Sequence, residues 1–128
     1  LIPEKEYDIY EDMLRCRPWI EAALDRGESR THDFEHIVEA VLCGKMQFWP
    51  APDACAITEI TVYPKKKVFH IFLAGGNMDT IIDMNESAEL FGKHNGCTGM
   101  SISGRVGWKK MLADKGYKPS FTVLTKEI

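Results

Sequence analysis

Two periods of apolar spacing run along the chain, and the change from one to the other falls near residue 45. Before it the spacing is helical. Pro3 and Glu4 open a segment in which Tyr7, Tyr10 and Leu14 recur at three- and four-residue intervals, one face of a helix. Pro18 then punctuates, and it suits the first turn of a second short helix over Trp19–Arg26, with Ile20, Ala23 and Leu24 inward. Gly27 supplies a stop and residues 27–30 a loop. Thr31 reads as the N-cap of the next helix, with Asp33 and Glu35 at its positive end. Phe34, Ile37, Val38, Val41 and Leu42 form its apolar stripe, and Gly44 ends it.

From Lys45 the period becomes two. Met46–Trp49 predicts a short strand stopped by Pro50 and Pro52. Ala56–Tyr63 is rich in β-branched residues, with Thr58, Ile60 and Val62 on one side and Ile57, Glu59, Thr61 and Tyr63 on the other. Pro64-Lys65-Lys66-Lys67 is a polar turn, and Val68–Ala74 a strand apolar on both faces, so the two strands form an antiparallel hairpin. Gly75-Gly76-Asn77 switches strand to helix. Met78–His94 is the helix, stopped by Asn95-Gly96; Cys97–Ser103 is a strand, Arg105–Lys115 a helix and Phe121–Thr125 a last strand. The expected architecture is α+β: a mixed, mostly antiparallel central sheet flanked by helices, in one domain over residues 1–128.

Composition narrows the class. A chain of 128 residues with 45% hydrophobic and 27% charged residues is globular, which excludes a disordered tail, a fibre and a coiled-coil rod. A net charge of −3 argues against a nucleic-acid partner. No apolar run is long enough for a transmembrane helix, so no membrane partner is expected. The opening Leu1–Lys5 does not read as a signal peptide. Cys16, Cys43, Cys55 and Cys97 make no CxxC pair, and three of the four have apolar surroundings, so reduced core thiols in the cytoplasm are expected.

The candidate chemistry gathers in three places. At Leu73-Ala74-Gly75-Gly76-Asn77-Met78 a buried strand meets a helix through two glycines. Such a corner suits either a phosphate on free amides or a tight turn with no ligand, and Asp79 in the first turn competes with an anion. Glu59 and His70 interrupt the hairpin strands; one reading makes them a general base, the other a solvent-facing carboxylate and a hydrogen-bonded core imidazole. His32 and His36 share a helix face but lie opposite its apolar stripe, so a solvated face is expected and no metal site. No GxSxG elbow or P-loop is present.

From Gly44 onward the order hairpin, glycine corner, helix, strand, helix resembles the GNAT (N-acetyltransferase) fold, and Gly116-Tyr117 resembles that family's Gly-Phe. Thr58-Glu59-Ile60, Ala74-Gly75-Gly76, Gly96-Cys97 and Gly104-Arg105-Val106-Gly107-Trp108 look more particularly like small GNAT-like proteins of tailed phages and prophages. The resemblance implies acetyl-CoA as cofactor, bound by Phe72, Leu73, Ala74, Gly75, Gly76, Asn77 and Met78. It implies transfer to an amine on a small molecule or protein, with Glu59 and His70 as catalytic residues, in the host cytoplasm or the virion. The alternative it leaves is a non-catalytic virion, assembly or host-interaction protein whose partners are other phage or host proteins. The chain departs from the family where the loop lacks its cation and where the family's tyrosine acid falls on Leu112.

Overall fold

The computed structural model describes residues 4–25, 31–103 and 107–128. The expected break at Pro18 does not occur: α1 is one helix, Glu4–Leu24, with Pro18 inside it. An interior proline costs about 3 kcal/mol. Burial of Met13, Cys16, Ile20 and Leu24 on the inward face outweighs it, at about 1.5–3 kcal/mol for a large apolar side chain. The carbonyl that loses its partner belongs to Leu14, which is exposed, so water can serve it. The inward stripe is Ile9, Met13, Cys16, Ile20 and Leu24. Tyr10 and Leu14 sit one residue off that stripe and are exposed, against expectation; one residue turns the helix by about 100°. Gly27 and its loop lie outside the described residues.

Helix α2 spans Phe34–Leu42, and its N-cap is Asp33, not Thr31. His36 Nδ1 accepts the Asp33 N–H at 2.9 Å. Thr31 Oγ1 instead meets His32 Nδ1 at 2.7 Å. Arg17 joins the two helices: it reaches Glu21 at 2.9 Å and Glu35 at 3.6 Å, and its guanidinium lies 4.6 Å above the centre of the Phe34 ring.

The sheet has four strands in the order β1 (Met46–Ala51), β2 (Ala54–Val62), β3 (Lys67–Gly76) and β4 (Gly99–Ile102). β1–β2 and β2–β3 are antiparallel, and β3–β4 is parallel. Pro50 is tolerated because β1 is an edge strand. Alternation along the strands divides the core. Met46, Cys55, Ile57 and Leu73 pack with α1 and α2. Ala54, Ala56 and Ala74 pack with Ile81, Trp108 and Leu112 on the other face, and Phe69 packs there with Ala88 and Cys97.

The helix expected over Met78–His94 is two, α3 (Met78–Asp83) and α4 (Asn85–His94), meeting at Met84. α5 is Gly107–Leu112, continued by a 3-10 turn over Ala113–Lys115 and stopped by Gly116 at φ +89°. Arg105 lies outside the described residues. The strand expected at Phe121–Thr125 is absent; residues 117–128 have no regular structure, and Phe121, Val123 and Leu124 are exposed. Strand propensity is realised only beside a partner strand, and no described strand pairs with this segment. Cys16, Cys55 and Cys97 are buried and Cys43 exposed, all four as free thiols.

Candidate active site at the split between β3 and β4

The site begins with an extra residue. Thr58 pairs with Ile71 but Ile57 pairs with Leu73, so Phe72 is a bulge in β3. A bulge bends its strand and ends regular pairing. The parallel ladder to β4 runs from Val68↔Gly99 to Ile71↔Ile102 and goes no further. Among the described residues, β3 continues to Gly76 paired with β2 alone. Alternate backbone N–H and C=O groups of Phe72–Gly76 therefore point to the side that β4 has left. The neighbouring strands are not closed along their length.

Each glycine of the corner has a packing reason. A Cβ on Gly75 would stand 2.9 Å from Trp19 Cβ and 3.0 Å from Trp19 O, so α1 presses directly on the strand. Gly76 has φ +102°, and a Cβ there would meet Asp53 O and stand 2.6 Å from Ala54 Cα, in the β1–β2 turn. Asn77 N–H donates to Asp53 O at 2.9 Å, and Asn77 Oδ1 accepts from Asp79 N at 2.9 Å and Thr80 N at 3.4 Å. The start of α3 is thus capped by its own asparagine. The expected ligand amides at Asn77 and Met78 lie at this capped end, while alternate ones of Phe72–Gly76 point away from β2.

Glu59 and His70, far apart in sequence, stand directly opposite each other on β2 and β3, and Ser101 stands opposite His70 on β4. His70 Nδ1 lies 2.7 Å from Ser101 Oγ. All three are half-buried. Burial holds the His70 imidazole below its ordinary pKa, against a smaller upward pull from Glu59. The imidazole is accordingly neutral near pH 7 and able to take a proton. Two residues beyond His70 stands Phe72, which packs against the α1–α2 layer; the His32 ring meets it edge-on at 4.9 Å between centroids.

Ser101 and His32 were not among the expected site residues. Ser101 is an ordinary serine until the β3–β4 register is known. His32 does not share a helix face with His36 as expected: it precedes the N-cap Asp33, and its ring turns to Phe72 of β3 instead of to a solvated helix face. Leu112, on which the resemblance sets the family's tyrosine, is buried in the core. Tyr117 is half-buried, donates to Asn85 Oδ1 at 2.6 Å and has its pKa pushed up to about 12 by burial. Among the described residues no cluster of three or more His, Cys, Asp or Glu could hold a metal ion, and no helix is long and apolar enough to cross a membrane.

No family profile matches the sequence, and a search of curated proteins returns no match. Solved structures do match the fold. A Trypanosoma brucei acetyltransferase superposes with a TM-score of 0.68 at 9% identity, over 92% of this chain and 94% of that one. Glucosamine-6-phosphate N-acetyltransferase from Arabidopsis thaliana gives 0.59 at 12%, over 84% of each chain. An aminoglycoside 6′-N-acetyltransferase from Acinetobacter haemolyticus gives 0.59 at 14%, over 93% and 92%. The chain has a GNAT-like fold, as expected.

Proposed function

We propose that the protein is an acetyl-CoA-dependent N-acetyltransferase. The observation that carries this reading is the side of β3 beyond the bulge at Phe72, where, among the described residues, no strand takes the place of β4. Phe72, Leu73 and Ala74 would hold the pantetheine by strand-like hydrogen bonds, and Gly75 to Met78 would lie toward the phosphates. The thioester supplies an activated acetyl group. A backbone N–H at the bulge suits the carbonyl oxygen that gains charge during transfer. As the amide bond forms and the thioester C–S bond breaks, His70, neutral and fixed by Ser101, would take the proton of the attacking amine, with Glu59 opposite to stabilise the imidazolium so formed. His70 would then return that proton, through water, to the leaving thiolate, which departs as the CoA thiol. The amine would enter from the α2 side, past His32 and Phe72. Two of the structural neighbours are named for small amines, an amino sugar phosphate and an aminoglycoside, which supports an amine of that kind over a protein acceptor.

A second reading has its own support. The helix start is capped by Asn77, and residues 72–78 contain no cation to meet a pyrophosphate. That favours a GNAT-like shell without acetyl transfer, of the kind the resemblance to phage proteins suggests, acting in the virion or on host proteins. Isothermal titration separates the two. Saturable heat with acetyl-CoA below about 1 mM, and amine-dependent release of free CoA thiol that is lost in Glu59→Gln and His70→Gln, is the expected result. No heat at millimolar acetyl-CoA, from protein that melts cooperatively, rejects the transferase.

A further inference from the structure

Between the sheet and the helices α3, α4 and α5 lies a cavity of about 30 Å³. Ala56, Ile71, Ile81, Ile102, Trp108 and Leu112 form its apolar walls. Three polar side chains also reach it, and each is already engaged. Trp49 Nε1 donates to Thr58 Oγ1 at 2.9 Å, Thr58 donates to Gln47 Oε1 at 3.0 Å, and Asn85 Oδ1 receives the Tyr117 hydroxyl. Among the described residues no buried side-chain polar atom lacks a partner. Water needs two to four polar partners to be held in such a space, so its fitting occupant is apolar.

The position of the cavity gives it a use. Ile71 and Ile102 are the last pair of the β3–β4 ladder and are also walls of the cavity. They stand at the rim where the gap between the strands begins. A group carried in that gap has this apolar space beside its reactive end. We infer that the cavity is an acyl pocket, and that the protein prefers a short aliphatic acyl group one carbon longer than acetyl. This rests on the transferase reading and names its acyl substrate as propionyl-CoA. The volume is about two to three times the least that holds a water molecule, room for a group of one or two heavy atoms. Trp108 and Leu112, both buried, line it on the α5 side, and its volume is too small for a long chain.

The experiment is titration of acetyl-, propionyl- and hexanoyl-CoA into the wild-type protein, Ala56→Val and Leu112→Ala, each checked by thermal melting. One additional buried methylene predicts propionyl-CoA binding about fourfold more tightly than acetyl-CoA, with hexanoyl-CoA weaker than both. Ala56→Val fills the space and removes that ratio. Leu112→Ala enlarges it and moves the preference toward hexanoyl-CoA, so either variant alone suffices if the other fails to fold. Acetyl-CoA binding as well as or better than propionyl-CoA, or a ratio that neither folded variant moves, overturns the acyl pocket and leaves the transferase standing. Binding of none of the three by folded protein overturns both.

Discussion

Gly76→Ala tests how the corner is built. Two costs add at this position. A Cβ at φ +102° is strained by roughly 1–2 kcal/mol. It also meets backbone atoms, Asp53 O and Ala54 Cα, which cannot swing aside as a side chain would, and overpacking of this kind costs about 1–3 kcal/mol. The sum is roughly 2–5 kcal/mol. With an unfolding entropy near 2.1 cal/mol/K per residue, a chain of 128 residues loses about 4 °C per kcal/mol, so Tm should fall by roughly 7–19 °C. Gly44→Ala is the control for strain alone, because Gly44 has φ +84° with nothing within 4 Å of its Cβ position. It should lose roughly 4–7 °C. Gly99→Ala is the control for neither cost: its φ is not positive and its Cβ position is open, so it should hold or slightly raise Tm. The assay is calorimetric or circular-dichroism melting of the three variants beside wild type. If Gly76→Ala melts within 2–3 °C of Gly44→Ala, the packing of the corner on the β1–β2 turn is wrong, and with it the account of why two glycines stand there.

Two further outcomes follow from buried groups. The pKa of His70 is lower folded than unfolded, so the unfolded chain takes up the proton first as pH falls below about 6.5. The stability it contributes is present above that pH and is lost as pH falls toward the folded value; urea unfolding at pH 7.5 and 5.5 should show a larger drop in wild type than in His70→Gln, and an equal drop refutes it. Among the thiols, Cys43 is exposed while Cys16 and Cys55 are within hydrogen-bonding reach of each other, both raised in pKa by burial. Native protein should give one fast-reacting thiol with a chromogenic disulfide reagent and the other three only on unfolding; fast reaction of Cys16 or Cys55 contradicts the packing of α1 on β2.

Local chemistry was written plainly in the chain. The α2 stripe from Phe34 to Val41, the hairpin of β2 and β3, the switch at Gly75-Gly76-Asn77 and the stop at Gly116 all depend on neighbours within a few residues, so spacing and turn residues were enough to place them; Leu42, expected in that stripe, is exposed at the helix end. The α+β class followed from their order. Where a long-range term competed with a local one, the local reading failed. Pro18 signals a break, but the buried stripe from Ile9 to Leu24 outweighs it. Phe121–Thr125 has strand propensity, but a strand without a ladder leaves its backbone to water, and none of the described strands takes it up.

The candidate site belongs almost wholly to the second kind. Glu59 and His70 were noticeable as polar residues in apolar strands, but only register brings them together, and only the parallel pairing with β4 adds Ser101. The bulge at Phe72 is a mismatch of counting between two strands, a property of the pair that neither strand carries alone. The gap that follows it, and the cavity beneath Ile71 and Ile102, exist because chain segments some 30 residues apart in sequence part at that point. Sequence by itself determined which elements form and which faces they bury, because those choices are made over a few residues. Tertiary structure decided where the sheet opens, because an opening is set by how distant strands align.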